Sequence, residues 1–285
     1  MNILVTGGAG FIGTNLIKEL VKDGLHNVVS IDNYSTGKEE NEQEGCVYHN
    51  VDIRDAVDFD FFMDSPDVIY HLAALPRIQP SFEFPALTME IGMLGTMNIL
   101  EWARNKECKV IYAGSSSVHS GHYSNPYTFS KVMGDELCMA YKQMFGVDTK
   151  ICRFYNVYGP HQLTEGEYCT VIGVFEKQYK EGVDLTITGD GFQRRDFTHI
   201  DDIVEGLILT SESEEFDLDI VELGRGHNHS INELAEMFGC GFTHIPKRPG
   251  EAEVTLCDTS VAKKDIGYNP KVNLEDYVKG VISEV

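Results

Sequence analysis

Thr6-Gly7-Gly8-Ala9-Gly10-Phe11-Ile12-Gly13 is the stretch on which the reading of this chain turns. It follows an apolar run at 2–6 and precedes 14–22, where Leu16, Ile17, Leu20 and Val21 recur at helical spacing. A strand, a glycine turn and a helix in that order can cradle a dinucleotide pyrophosphate. The turn must be tight, the backbone must approach the phosphates without Cβ atoms, and the helix N-terminus offers free N–H groups. Gly8, Gly10 and Gly13 satisfy G-x-G-x-x-G, and Gly7, Gly10 and Gly13 satisfy G-x-x-G-x-x-G. The next apolar run ends in Ser30-Ile31-Asp32. A carboxylate at the end of that second strand can accept both hydroxyls of an adenosine ribose and would repel a 2′-phosphate. NAD is therefore expected rather than NADP.

Outward from this unit, strands at 28–31, 46–51, 68–73, 109–113 and 149–154 alternate with helices at 85–105 and 127–145. Short, continuously apolar strands alternating with helices imply a doubly wound, Rossmann-type α/β fold with a parallel sheet buried on both faces. Beyond Pro160 the rhythm loosens. Helical patterns at 169–180, 201–210, 231–238 and 274–281 alternate with short strands at 185–188 and 220–223. The expected division is a dinucleotide-binding domain at 1–165, to which 185–212 returns, and a smaller mixed α/β substrate lobe at 166–285. The acidic stretch 211–219 reads as a solvated connector.

Composition narrows the function classes. With 45 acidic against 23 basic side chains the formal charge is −22, which disfavours nucleic acid and anionic membranes as partners. No apolar run reaches the roughly 20 residues of a membrane span. The seven cysteines are odd in number and include no C-x-x-C pair, as expected of thiols in a reducing, cytoplasmic setting. No Cys/His cluster has metal-ligand spacing, so no metal is expected.

Tyr127 and Lys131 are four apart at the start of a helix and share one face. A phenol with an ordinary pKa near 10 is a poor base, but neighbouring positive charge stabilises its phenolate. Tyr34 and Lys38 repeat the spacing at the adenosine end, where no reacting carbon is expected; that pair reads as coincidence. Ser115, Ser116 and Ser117 close the 109–113 strand on the same sheet edge as Tyr127, where a hydroxyl can share a proton with a substrate oxygen.

These residues, together with Asp52-Ile53-Arg54-Asp55, His71-Leu72-Ala73-Ala74, Tyr127-x-x-Ser130-Lys131 and Asn156-Val157-Tyr158-Gly159-Pro160, resemble the extended short-chain dehydrogenase/reductases. Gly189-Asp190-Gly191-Phe192-Gln193-Arg194-Arg195-Asp196-Phe197 and Arg248-Pro249-Gly250-Glu251 narrow the resemblance to nucleotide-sugar epimerases and dehydratases, most like the UDP-hexose 4-epimerases. It covers nearly the whole chain. The resemblance implies that Gly7, Gly10, Phe11, Ile12, Gly13, Asp32 and Asn33 hold the NAD pyrophosphate and ribose, with Asp52 and Ile53 around the adenine. Leu72, Ala73 and Ala74 would line the dinucleotide, and Phe154 would lie near the nicotinamide. Tyr127, Lys131 and Ser115 would be catalytic, and Ser116, Asn156, Arg195, Arg248 and Glu251 would hold the nucleotide sugar. It also implies a homodimer through the helices at 85–105 and 127–145.

Within the group, 4,6-dehydratases resemble one another in having Thr-Asp-Glu where this chain has Ser115-Ser116-Ser117, and decarboxylases usually have a glutamate at Ser117. A serine-only segment suits a reaction with no extra proton-transfer group, C4 epimerisation of a UDP-hexose, N-acetylated and uronic forms included. The alternatives are another NAD-dependent nucleotide-sugar enzyme or a non-catalytic NAD-binding member. Two departures stand out: Gly92 replaces the group's usual Asn, and the Ser115–Tyr127 connection is short.

Overall fold

The structure is a computed structural model that describes residues 1–55, 58–213 and 219–284. Its first half alternates strand and helix. β1 (Asn2–Thr6), α1 (Phe11–Leu20), β2 (Asn27–Asp32), β3 (Cys46–Asn50) and β4 (Val68–His71) come first. Then follow α2 (Ile78–Glu83), α3 (Pro85–Met89), α4 (Thr96–Ala103), β5 (Lys109–Ser115), α5 (Pro126–Phe145), β6 (Asp148–Phe154) and β7 (Val157–Tyr158). The second half carries α6 (Val171–Lys180), β8 (Leu185–Thr188), β9 (Arg194–Asp196), β10 (Thr198–His199), α7 (Ile200–Glu212) and β11 (Ile220–Leu223). It ends with β12 (Asn228–Ser230), α8 (Ile231–Phe238), β13 (Phe242–Ile245), α9 (Ser260–Ile266) and α10 (Leu274–Ser283).

Seven strands form one parallel sheet in the order β11-β6-β5-β4-β1-β2-β3. This is the Rossmann-type arrangement expected, extended by β11. Strand order reverses between β1 and β4, so their carboxyl ends diverge into a crevice where such sheets bind ligands. One face is covered through Leu16, Ile17 and Leu20 of α1 and Ile203, Val204 and Leu207 of α7. The other is covered through Ile99, Leu100 and Ala103 of α4 and Cys138 of α5. Burial on both faces explains why the strands read as unbroken apolar runs.

The helix expected at 85–105 is interrupted: Glu90–Gly95 is a π-helical turn between α3 and α4. A Cβ on Gly92 would lie 2.8 Å from Ser130 Cβ and 3.0 Å from its Oγ, so the glycine is what allows this turn to lie against α5. The asparagine usual in the group has no room there.

The second core joins α6, β8, α8 and α10 through Phe175, Leu185, Ile187, Leu234, Phe238 and Val278. Of the segment 185–212, α7 packs on α1 and the main sheet, whereas β8 pairs with β13 in a separate two-stranded sheet. β11 lies in the main sheet beside β6. α7 runs to Glu212, into the expected acidic connector; 214–218 of that stretch lie outside the described residues. All seven cysteines are free thiols. Among the described residues no helix is long and apolar enough to cross a membrane.

Candidate active site

The crevice at the carboxyl edge of the sheet opens into one continuous cavity. Gly7, Gly10, Phe11, Ile12, Gly13, Asp32, Asn33, Asp52, Ile53, Leu72, Ala73, Ala74 and Phe154, the residues expected to hold the dinucleotide, line part of it. Ser115, Ser116, Tyr127, Lys131, Asn156, Arg195, Arg248 and Glu251 line the remainder. Each residue expected from the sequence to hold cofactor or substrate therefore lines the same space.

At the dinucleotide end, Gly7 has φ +74, and a Cβ there would stand 2.9 Å from the Ala73 backbone. Gly13 is tighter still, since its Cβ would meet Gly7 O at 2.2 Å. These glycines hold the turn against β4 and against the start of α1. Gly10 caps α1 with no side-chain bond, so the helix N-terminus is left to face an anion. Asp32 accepts hydrogen bonds from Ala9 N at 3.0 Å and Tyr34 N at 2.7 Å, which aim its carboxylate. Burial raises its pKa, and the two amides oppose that rise. Arg54 forks onto Asp52, with Nε to Oδ1 at 3.0 Å and Nη2 to Oδ2 at 2.8 Å, and Asn33 Nδ2 adds a bond at 2.9 Å. These bonds hold the Asp52 carboxyl down at about 2. A cradle without room for Cβ atoms, a helix N-terminus and an aimed carboxylate together fit the pyrophosphate and ribose of NAD.

Between the two ends lies a buried histidine. His71 bridges Thr6 Oγ1 at 2.8 Å and Thr96 Oγ1 at 3.0 Å, and burial pushes its pKa down to about 3. The ring is a neutral strut tying β4 to β1 and to α4.

At the reacting end, the register pairs Ser115 with Phe154, so the strand ends carry both to one level. Ser115 Oγ accepts from Ser117 N at 3.2 Å and caps the short turn Ser116–Ser120. α5 begins at Pro126 behind Asn125, whose side chain accepts from Thr128 N. This cap places Tyr127 in the first turn, where its amide donates to Ser81 Oγ at 3.1 Å. Burial raises the Tyr127 pKa, whereas the Ser115 hydrogen bond and the charge of Arg77 pull it back. The Lys131 ammonium donates to Ala113 O at 2.8 Å and stands 5.1 Å above the Tyr112 ring, and burial brings its pKa down to about 8. Burial prevails, so the phenol lies above its ordinary value, and Arg77, a residue no motif singled out, is a positive charge that opposes the rise. Its φ of +92 is costly for a side chain bearing a Cβ, on the order of 1–3 kcal/mol.

Toward the second core, Asn156 (φ +32) donates from Nδ2 to Asp196 O at 2.9 Å and Thr255 Oγ1 at 3.0 Å. Arg195 pairs with Glu251 at 3.7 Å, and Arg248 is exposed at the rim. The Tyr34/Lys38 pair lies apart: Tyr34 Oη donates to Glu42 at 2.5 Å and Lys38 to Glu40 at 3.1 Å.

Comparison with known proteins decides the family. The NAD dependent epimerase/dehydratase family model matches residues 3–224. The chain belongs to that family. As a member of this NAD-dependent epimerase/dehydratase family it is 32% identical to a protein of Methanocaldococcus jannaschii provisionally named UDP-glucose 4-epimerase, over 99% of this chain and 97% of that protein. It is 30% identical to the UDP-N-acetyl-alpha-D-glucosaminuronate decarboxylase of Bacillus cytotoxicus, over 98% of this chain and 96% of that protein. The UDP-glucuronic acid 4-epimerase of Bacillus cereus, solved with UDP-glucuronic acid and NAD, superposes with a TM-score of 0.88 at 29% identity, covering 100% of this chain and 99% of that one.

Proposed function

We propose that this family member is a UDP-sugar 4-epimerase. The carrying observation is the reacting end itself: Tyr127 and Ser115 line one cavity beside a turn, Ser116–Ser120, that brings no carboxyl group. Elimination of water across C5 and C6 needs a carboxyl acid and base there, whereas inversion at C4 needs one proton acceptor. Bound NAD supplies a reversible hydride acceptor at its nicotinamide. Tyr127 takes the proton of the sugar 4-hydroxyl and returns it to the same oxygen. Ser115 holds that oxygen by a hydrogen bond, and the Arg77 charge favours the phenolate. Lys131, tied to Ala113 O, fixes the first turns of α5 against β5 and adds positive charge to the pocket. Arg195 and Arg248 are the guanidiniums available for the diphosphate, and Asn156 and Glu251 the polar groups for the nucleoside. The assembly is a homodimer through the α3–α4 segment and α5, and the free thiols suit the cytoplasm.

The test is incubation of the purified protein with UDP-sugars and NMR of the products. A C4 epimer formed without added NAD is the expected result. Carbon dioxide and a pentose, or a 4-keto-6-deoxy sugar, would overturn the reading.

A further inference from the structure

Arg77 is the guanidinium in the cavity to which the scheme above assigns neither a carboxylate nor a phosphate. It follows Pro76 in the β4–α2 connection and lines the cavity together with Tyr127 and Ser115. Nε donates to Tyr168 O at 3.0 Å, which anchors the side chain. The anchor uses one of five N–H groups and leaves both terminal amino groups for another partner. Glu167 and Glu251 also line the cavity, yet among the described residues no carboxylate lies within 4.0 Å of Arg77. Arg195, by contrast, has Glu251. A half-buried guanidinium without a counter-ion loses hydration that its one hydrogen bond to Tyr168 O replaces only in part. It also sits on a backbone at φ +92, ψ +141, which only glycine adopts without strain. Two unfavourable features coincide at one residue beside the reacting phenol, and strain of this kind collects where a side chain serves a ligand.

The position limits what the ligand is. Arg77 caps α2, whose Ser81 accepts from the Tyr127 amide at 3.1 Å, and both Arg77 and Tyr127 line the cavity; the phenol must touch the oxygen on C4. Groups within reach of both are those on the carbons beside C4. A planar guanidinium with two free amino groups matches a carboxylate in bidentate fashion.

We propose that Arg77 selects a sugar whose carboxylate is borne by a substituent of a carbon beside the reacting one, either a uronate at C6 or an acidic ether on O3. The proposal rests on the 4-epimerase reading for the placement of C4 at Tyr127. An acidic sugar then supplies the anion that Arg77 lacks, while Arg195 and Arg248 remain for the diphosphate.

The experiment is calorimetric titration of the NAD-loaded protein with UDP, UDP-glucose, UDP-glucuronate and UDP-N-acetylmuramate. At least one acidic sugar should bind about tenfold or more tightly than UDP-glucose. The acidic sugar preferred tells the C6 carboxylate from the O3 ether. In Arg77→Met the preference should vanish while UDP itself binds within about twofold of the parent; in Arg77→Lys part of it should return. Arg77→Gly serves as a second variant, because glycine accepts this φ and keeps the fold. Equal binding of acidic and neutral sugars by the parent would overturn the proposal. So would a matching loss of UDP or of NAD in the variants, which would assign Arg77 to a phosphate. Binding is read separately from turnover. An acidic sugar held through Arg77 that loses carbon dioxide would sink the epimerase reading and leave this one standing.

Discussion

The Lys131 ammonium donates to the carbonyl oxygen of Ala113 at 2.8 Å, so a side chain of α5 is tied to the backbone of β5 two residues before Ser115. That bond fixes the first turns of α5 relative to the strand end. It makes the separation between the Tyr127 phenol and the Ser115 hydroxyl a property of the scaffold.

Tyr127→Phe deletes one hydroxyl at that point. We expect kcat to fall at least about 10²-fold, as for loss of a general base, with substrate and NAD still bound. Tyr34→Phe is the control: it removes only a surface bond to Glu42 and should leave kcat within about twofold. Steady-state kinetics on both variants checks this, and equal losses would mean the wrong tyrosine.

We expect Asp32 to discriminate between dinucleotides. In Asp32→Ala the carboxylate that repels a 2′-phosphate is gone, a repulsion of about 1–4 kcal/mol between close charges. The NAD-over-NADP preference should fall tenfold or more in cofactor titrations. An unchanged ratio would place the ribose elsewhere.

His71 gives the fold a sensitivity to acid. Its folded pKa, about 3, lies below the ordinary 6.5 because burial excludes the charged ring. Between those values the unfolded chain binds a proton that the folded chain refuses. This contribution to stability is therefore whole above pH 6.5 and declines as pH falls toward 3. His71→Asn should be less stable at pH 8, by about 1–3 kcal/mol from unpaired Thr6 and Thr96, yet should lose less between pH 8 and 5. Thermal melts at the two pH values decide it; parallel losses would refute the account.

Gly92→Ala pushes a Cβ to 2.8 Å from Ser130 Cβ and should cost about 1–3 kcal/mol. Ser130→Gly removes the colliding atom. The double variant should therefore be more stable than the sum of the two single losses, as read from denaturant midpoints. Strict additivity would show that the helices part freely.

Leu94, Met97, Met144 and Phe145 are exposed on the π turn, α4 and α5. A second copy covering them would make a four-helix bundle. Light scattering at micromolar concentration should give twice the chain mass, and Met144→Arg with Met97→Arg should shift it toward the monomer. A monomeric parent would refute the assembly.

The glycine turn, Asp32 and the Tyr127/Lys131 spacing were legible because each is a local pattern with a local physical reason. A tight turn, a strand-end carboxylate and a shared helix face are all set within a few residues. The alternation of buried strands with helices determined the sheet in the same way, since double-sided burial writes itself into every strand. What the tertiary structure alone decided involves atoms far apart in the chain. The β8–β13 pair joins Leu185 to Phe242, and nothing in either short run specifies the other. Gly92 reads as a departure until Ser130 is brought to 2.8 Å from where its Cβ would stand. Arg77 belongs to no motif, and its exclusion from carboxylates and closeness to Tyr127 arise only when the β4–α2 connection folds over α5. Sequence determines what each segment can form by itself. Which side chains share a field, and which lack a counter-ion, is settled by distance across the folded chain.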